Sequence, residues 1–305
     1  MANTTGKLSV PLLLQEALER LMILHPQLAL FARNYSQAAM KKGQTLTVKK
    51  VLGTVAQEFN GTFTAGEAKM VDAEIALTSH LHATYEITED ERNSGFLQWK
   101  SDLIDSLVEA IASKMYSIIF AKFTTGGASP TVDADNVVTV ALANFSRTSI
   151  VDLGTKMTEA KVPKAGRFAL LTPGYHGKLF GDQSIVGALV NPGAGAAITE
   201  GVLPRVHGFS VSEYTEIANT AAPHFIKGIA GVSSAIGVVA ALPVAPSQGG
   251  TATTVTDKSG LSLQLREWSD WNTGKDYFSV QALFGAEIMS NDRLFALTSE
   301  APVAE

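Results

Sequence analysis

The chain contains no cysteine. Without thiols it cannot form a disulfide framework, a thiolate zinc site or a cysteine nucleophile. It also has no surplus of positive charge, because 24 Lys and Arg residues stand against 29 Asp and Glu, which gives a formal net charge of −5. A protein that reads nucleic-acid sequence usually carries a basic surplus. The composition therefore argues against a tight grip on phosphates.

Charged residues of either sign are scarce, at 17% of the 305 residues, whereas 46% are hydrophobic. These values exclude a disordered chain, and the length suffices for one elaborated domain or about two. The longest stretch without charge is 228–256, but its apolar part, 228–242, is shorter than the roughly 20 residues of a membrane span. Glu16 follows the apolar run 8–14 almost at once, so this run is not a signal peptide. We expect no membrane association.

The clearest pattern is the alternation of apolar and polar residues over 74–88, which predicts a strand with one apolar face. The weaker candidate 45–55 lies upstream, and the turn signal Asn60-Gly61 lies between them, so the pair predicts a long hairpin. The interface positions expected on its apolar face are Ile75, Leu77, Leu81, Tyr85 and Ile87.

A lone two-stranded ribbon is marginally stable in water, so its apolar face must be covered. A ribbon that reaches away from its body favours cover by another subunit. We therefore expect Leu81→Glu to leave folding intact and to abolish assembly. Burial of Leu77, Leu81 and Tyr85 within their own chain would contradict this expectation.

The remaining elements follow from helical spacing, caps and short apolar runs. The sequence predicts helices over 9–33, 94–123, 149–160, from Thr172-Pro173 onward and, as a buried helix, over 229–241, and strands over 137–142, 168–171, 202–215, 261–268, 277–288 and 294–297. The helix over 94–123 is long for a globular protein.

Two charge clusters flank the predicted hairpin. The basic cluster is Lys41, Lys42, Lys49 and Lys50, and the acidic one is Glu86, Glu89, Asp90 and Glu91. Pairing across the hairpin would be worth a few tenths of a kcal/mol per pair. The alternative is that Lys49, Lys50, Glu89 and Asp90 pair between subunits and set their register.

No catalytic constellation stands out. Residues 231–235 lack the final glycine of a nucleophile elbow, and 193–198 lack the third glycine of a dinucleotide loop. His80, His82 and Glu86 share a strand face, but no further ligand has suitable spacing for a metal. We expect no catalytic residues, no cofactor and no metal.

The order of parts resembles the major capsid protein of tailed bacteriophages, which has the Hong Kong 97-type fold. These parts are an N-terminal arm, a long hairpin, a long helix, a mixed domain, a Gly/Ala-rich domain and returning strands. The strings that carry the resemblance are FALLTPGY at 168–175, GVLPRVHGFSV at 201–211 with Gly208 at a bend, GIAGVSSAI at 228–236, and 277–288 with Gly285.

The resemblance implies an α+β fold with five parts. They are an N-terminal arm at 1–44, an E-loop at 45–92, a first part of the P-domain with its spine helix at 93–181, an A-domain at 182–260, and the P-domain return and C-terminus at 261–305. It also implies that the E-loop lies across a neighbouring subunit, and that a loop around Asn191 and Gly193 packs near symmetry axes.

The function implied is that of a structural subunit of an icosahedral shell. Pentamers and hexamers would form a procapsid that expands as double-stranded DNA enters, without sequence-specific binding. Implied partners are a scaffolding protein, a portal and a decoration protein, with assembly in the host cytoplasm and a final place in the virion.

Three alternatives remain open on sequence grounds. An encapsulin-type compartment would have the same fold and would hold protein cargo. A cytosolic α/β enzyme would use residues 193–201 as a ligand loop. A binding module would offer its ribbon for β-addition to one partner.

Overall fold

Two β-sheets and one long helix are the largest parts of the described structure. The computed structural model describes residues 32–35, 41–51, 58, 70–93, 100–125, 129–130, 132–182, 205–214, 226–245, 250–256, 261–270 and 272–299.

The described elements combine helices with mostly antiparallel strands, as in an α+β protein. The helices are α1 (Glu89–Asn93), α2 (Lys100–Ala121), α3 (Arg147–Glu159) and α4 (Pro173–Phe180). The strands are β1 (Arg33–Asn34), β2 (Thr45–Val51), β3 (Met70–Ala76), β4 (Ser79–Ile87), β5 (Thr124–Thr125), β6 (Ser129–Pro130), β7 (Val137–Thr139), β8 (Arg167–Leu171), β9 (Ser210–Glu213), β10 (Ile226–Val232), β11 (Ile236–Ala241), β12 (Thr251–Thr256), β13 (Ser262–Asp270), β14 (Lys275–Ile288) and β15 (Leu294–Thr298).

A six-stranded sheet is organised around β14, its longest strand. The order is β1-β11-β14-β13-β12, and β4 pairs with β14 as well. Leu283 of β14 is opposite Ala241 of β11 and also opposite His80 of β4, so β4 lies on the other side of β14 from β11. One strand of 14 residues thus holds three antiparallel neighbours in register.

A five-stranded sheet has the order β7-β15-β10-β8-β9. All five residues of β8 are buried, as expected of a strand covered on both faces. Its strands come from both sides of position 182, where the sequence predicted a domain boundary. The strand predicted at 294–297 also lies here, as β15, whereas β13 and β14 belong to the six-stranded sheet.

Helix α2 confirms the helix predicted over 94–123 for the residues that the structure describes, and it lies against β4 and β14. Its 22 residues span roughly 33 Å at 1.5 Å per residue. The buried side chains recur every three or four residues and include Ile104, Val108, Ile111, Met115 and Ile119. The predicted start of this helix, at 94–99, lies outside the described residues.

The prediction of a buried helix over 229–241 is wrong. This segment forms β10 and β11, joined by a 3-10 turn at Ser233–Ala235. All of β11 is buried, so its sequence shows no alternation, and a short apolar run of this kind cannot be told from a buried helix by periodicity. The small residues of this segment permit close packing, because a Cβ on Gly231 would come within 2.9 Å of Leu294 Cδ2.

The apolar alternation over 74–88 belongs to two strands, β3 and β4, that pair with different partners. β3 pairs with β2 in a hairpin, whereas β4 pairs with β14. Leu77 is 0% exposed and Leu81 7%, and Ile75 and Ile87 are also buried, while Tyr85 remains 39% exposed.

The expectation that a neighbouring subunit covers this apolar face is therefore wrong for its four aliphatic residues. The physical reason is that distant segments of the same chain complete and cover the sheet. β4 pairs with β14, whose Gln281 is 201 positions beyond His80, and α2 lies against both strands. Local alternation reveals a buried face but cannot reveal which segment covers it. The apolar face over 74–88 therefore gives no support for assembly into a shell.

The burial of Leu81 changes the expected effect of Leu81→Glu. A carboxylate in this core should destabilise the subunit by at least the roughly 2–5 kcal/mol that Leu→Ala costs in a core. His82→Glu is a matched control, because His82 is the next residue of β4 and is exposed. It should change stability by no more than about 0.5 kcal/mol. Urea unfolding of the two unassembled variants measures this difference, and equal stability would contradict the burial of Leu81.

Candidate assembly interface

The hairpin of β2 and β3 is an amphipathic ribbon. Thr45 is opposite Ala76 and Lys49 is opposite Asp72 in its antiparallel register. One face carries the exposed residues Thr45, Thr47, Lys49, Asp72 and Glu74, and the other carries Leu46, Val48, Ala73 and Ile75. This is the two-residue alternation expected of a strand pair with one apolar side.

The root of the hairpin is fixed to the body of the subunit. Ile75 and Leu77 are fully buried in a small cluster with Val239, Ala241 and Leu283 of the six-stranded sheet. The backbone of Leu77 is also bound on both sides. Gly43 N donates to Leu77 O at 2.9 Å, and Leu77 N donates to Gln44 O at 3.0 Å.

Away from the root, the apolar side of the ribbon is only half covered. Leu46 and Val48 pack against the same small cluster but remain partly exposed, and Ala73 is also half-buried. The subunit therefore leaves part of this row in contact with water. A half-covered apolar row is suited to further burial against another surface.

Among the described members of the two charge clusters, no ion pair runs across the hairpin. Lys49 is opposite Asp72 of β3, whereas Glu86 accepts a hydrogen bond from Lys275 Nζ at 2.9 Å. That bond raises the pKa of Lys275. Glu86 is near the end of β4 that is remote from the hairpin. The side chain of Lys50 lies outside the described part of the chain.

Glu89 and Asp90 lie in the exposed first turn of α1. The start of α1 is closed by a reciprocal pair: Thr88 N donates to Glu91 Oε2 at 2.9 Å, and Glu91 N donates to Thr88 Oγ1 at 3.4 Å. The backbone hydrogen bond from Thr88 lowers the pKa of Glu91. Thr88 and Glu91 have the T-x-x-E spacing that is the sequence signal of a capping box. The helices predicted from the sequence do not include α1.

The histidines of β4 lie on a polar face of the strand. His80 Nε2 lies 3.4 Å from Gln281 Oε1, and Thr84 Oγ1 donates to Ser279 Oγ at 2.9 Å. Among the residues that the structure describes, no group of three or more His, Cys, Asp or Glu could hold a metal ion.

The predicted loop contacts at Asn191 and Gly193, with the glycine-rich segment 193–201, lie outside the described residues. Within the part of the chain that is described, no helix is both long enough and apolar enough to cross a membrane.

One buried histidine lies beside the five-stranded sheet. His176 of α4 has its Nδ1 3.4 Å from Glu213 Oε2 of β9, and its ring lies 5.7 Å from that of Phe180. Burial lowers the pKa of His176, and the nearby carboxylate of Glu213 opposes that shift without cancelling it. The imidazole is therefore neutral near pH 7.

Comparisons with known proteins place the fold. No family model matches the sequence, and no curated protein matches it. The solved capsid of Ralstonia phage GP4 is similar with a TM-score of 0.60 and 11% identity, over 90% of this chain and 88% of that chain. The asymmetric unit of the mature capsid of bacteriophage PhiM1 gives a TM-score of 0.55 and 11% identity, over 88% and 85% of the two chains. A structure from Mycobacterium phage Che8 gives 0.53 and 13% identity, over 84% and 85%.

These similarities extend over nearly the whole of both partners at very low identity. The described chain therefore has the α+β phage major capsid fold, and the fold class predicted from the order of parts is confirmed.

The lowered pKa of His176 predicts a pH dependence of stability. As the pH falls below the ordinary value of 6.5, the unfolded chain takes up the proton first, so stability is lost below that pH and is constant above it. The loss is at most about 1.4 kcal/mol per pH unit. Urea unfolding at pH 7.5 and pH 5.5 should show a smaller loss for His176→Gln than for the unchanged chain. Parallel losses would contradict the assignment.

Proposed function

We propose that this chain is the shell-forming subunit of a tailed-phage head. The observation that carries the proposal is the capsid fold itself, which extends over 90% of this chain and 88% of the Ralstonia phage GP4 capsid protein. Both chains are matched over most of their length, so the similarity is not limited to one common sheet.

The hairpin supports assembly by copies of the same chain. Its apolar row at Leu46, Val48 and Ala73 is half covered, and the polar opposite face remains hydrated. Burial of apolar surface contributes about 25 cal/mol per Å², so covering this row would favour association. If the hairpin of each copy contacts a different surface of the next copy, the repeated contact can close the copies into a ring.

In this proposal the six-stranded sheet with α2 forms the P-domain, and the five-stranded sheet with α3 and α4 forms the A-domain. This replaces the bounds expected from the sequence, because each sheet takes strands from both sides of position 182. The interface residues that stay candidates are Lys49, Lys50, Tyr85, Glu89, Asp90, Asn191 and Gly193. Ile75, Leu77, Leu81 and Ile87 are withdrawn, because they are buried within their own subunit.

The finer features of the proposal concern assembly and partners. Pentamers and hexamers would build a procapsid in the host cytoplasm and then the mature head of the virion. The enclosed double-stranded DNA would not be gripped tightly, since the chain has a net charge of −5. A scaffolding protein, a portal and a decoration protein would be the expected partners.

Electron microscopy of the purified, expressed chain tests the proposal directly. We expect closed particles of uniform diameter, or open sheets and rings if a scaffolding protein is needed. A small soluble oligomer at all concentrations would contradict the proposal. Particles that retain a specific host protein as cargo would favour the encapsulin-type alternative over the phage head.

A matched pair of substitutions tests the role of the hairpin. Val48→Asp places a charge on the half-covered row, whereas Thr45→Asp places the same charge on the exposed face opposite Ala76. We expect Val48→Asp to raise the protein concentration needed for assembly at least tenfold, which corresponds to about 1.4 kcal/mol per contact. Thr45→Asp should assemble normally.

Both variants should remain folded, as judged by circular dichroism and by thermal unfolding of the unassembled subunit. Light scattering across a concentration series measures assembly. Equal assembly of the two variants would show that the apolar row makes no contact between subunits.

A further inference from the structure

The chain crosses the six-stranded sheet at the point where the hairpin joins the body. β3 ends at Ala76, and β4 begins at Ser79. A Cβ on Gly285 of β14 would collide with the carbonyl oxygen of Ala76 and would lie 3.3 Å from the Cα of Leu77. The backbone at the hairpin root therefore rests directly on β14 at a residue without a side chain.

A second glycine lies beneath the same root. Gly237 of β11 faces Ile75, since a Cβ there would come within 2.7 Å of Ile75 Cδ1. Positions 237 and 285 lie on adjacent strands, because Val239 of β11 is paired with Gly285. We call the set Ala76, Leu77, Gly237 and Gly285 the hairpin seat.

The seat leaves the hairpin little freedom to rotate. Leu77 is anchored by its buried side chain, and its N–H and C=O are both hydrogen-bonded to residues 43–44. Only Leu77 and Thr78 separate β3 from β4. The backbone of Ala76 and Leu77 contacts β14 and is held by two hydrogen bonds, so the hairpin cannot tilt unless those contacts break.

We propose that the hairpin seat sets the angle between the hairpin and the body, and through that angle the curvature of the assembled shell. The part on curvature rests on the proposed function. In a closed assembly with repeated contacts, the angle between neighbouring copies decides whether and at what size the shell closes.

Gly285→Ala tests this inference, and Gly231→Ala is its matched control. Both glycines are buried in strands, and a Cβ on either would meet a backbone carbonyl, which for Gly231 is that of Arg293 at 2.8 Å. Gly231 belongs to β10 of the five-stranded sheet. Both variants should lose stability, but only Gly285→Ala should lift the hairpin root.

The chain has no cysteine, so spin labels attach only at cysteines that are introduced. Two such labels measure the hairpin angle in the unassembled subunit. Spin labels at Thr47→Cys on the hairpin and Ser106→Cys on α2 occupy exposed positions. Double electron–electron resonance should give one narrow distance in the otherwise unchanged chain, a shifted mean distance in Gly285→Ala, and the unchanged distance in Gly231→Ala. Electron microscopy should show altered particle diameters, or open sheets, for Gly285→Ala alone.

Leu77→Ala provides a second variant if Gly285→Ala does not fold. It removes the anchor without adding a clash, and it should broaden the label distance. An unchanged label distance in Gly285→Ala overturns the inference. If Gly285→Ala fails to fold, an unchanged label distance in Leu77→Ala overturns it instead. A shifted label distance with particles of unchanged diameter also overturns it, because the hairpin angle would then not set the curvature. A shifted distance in a chain that never forms particles supports the seat and refutes the proposed function instead.

Discussion

The antiparallel pairing of β14 with three other strands is the interaction on which the rest of the subunit depends. β14 holds β4 on one side and β13 and β11 on the other, and its apolar side is covered by α2. The body that results is rigid enough to carry a two-stranded ribbon that would not be stable alone. The fold, the candidate interface and the hairpin seat are all built on this strand.

Elements with strong local signals could be predicted from the sequence. The stripe of α2, the proline at the start of α4 and the buried strand β8 were recognisable, and Gly208 does adopt a positive φ of 85° at its bend. Strand partners could not be predicted, because pairing over 201 positions leaves no trace in local alternation. The segment 229–241 failed for a related reason, since burial on both faces removes the period that separates strand from helix.

The candidate interface was only partly visible in the sequence. The amphipathic ribbon was recognised, but its second strand was predicted over 74–88, which merges the end of β3 with β4, because the alternation continues through Leu77 without a break. The half-covered row at Leu46 and Val48 could not be anticipated, since partial burial depends on how far the body of the subunit reaches along the ribbon. The role of the seat glycines Gly237 and Gly285 likewise could not be predicted, because it depends on the segment 75–77 that crosses above them.

The position of β15 has a consequence for biosynthesis. This strand begins 62 positions after the end of β10, yet it lies inside the five-stranded sheet between β7 and β10. The sheet cannot close until residues 294–298 have left the ribosome, because they fill the gap between β7 and β10. A nascent chain that has not yet released these residues therefore holds β7 apart from the rest of its sheet.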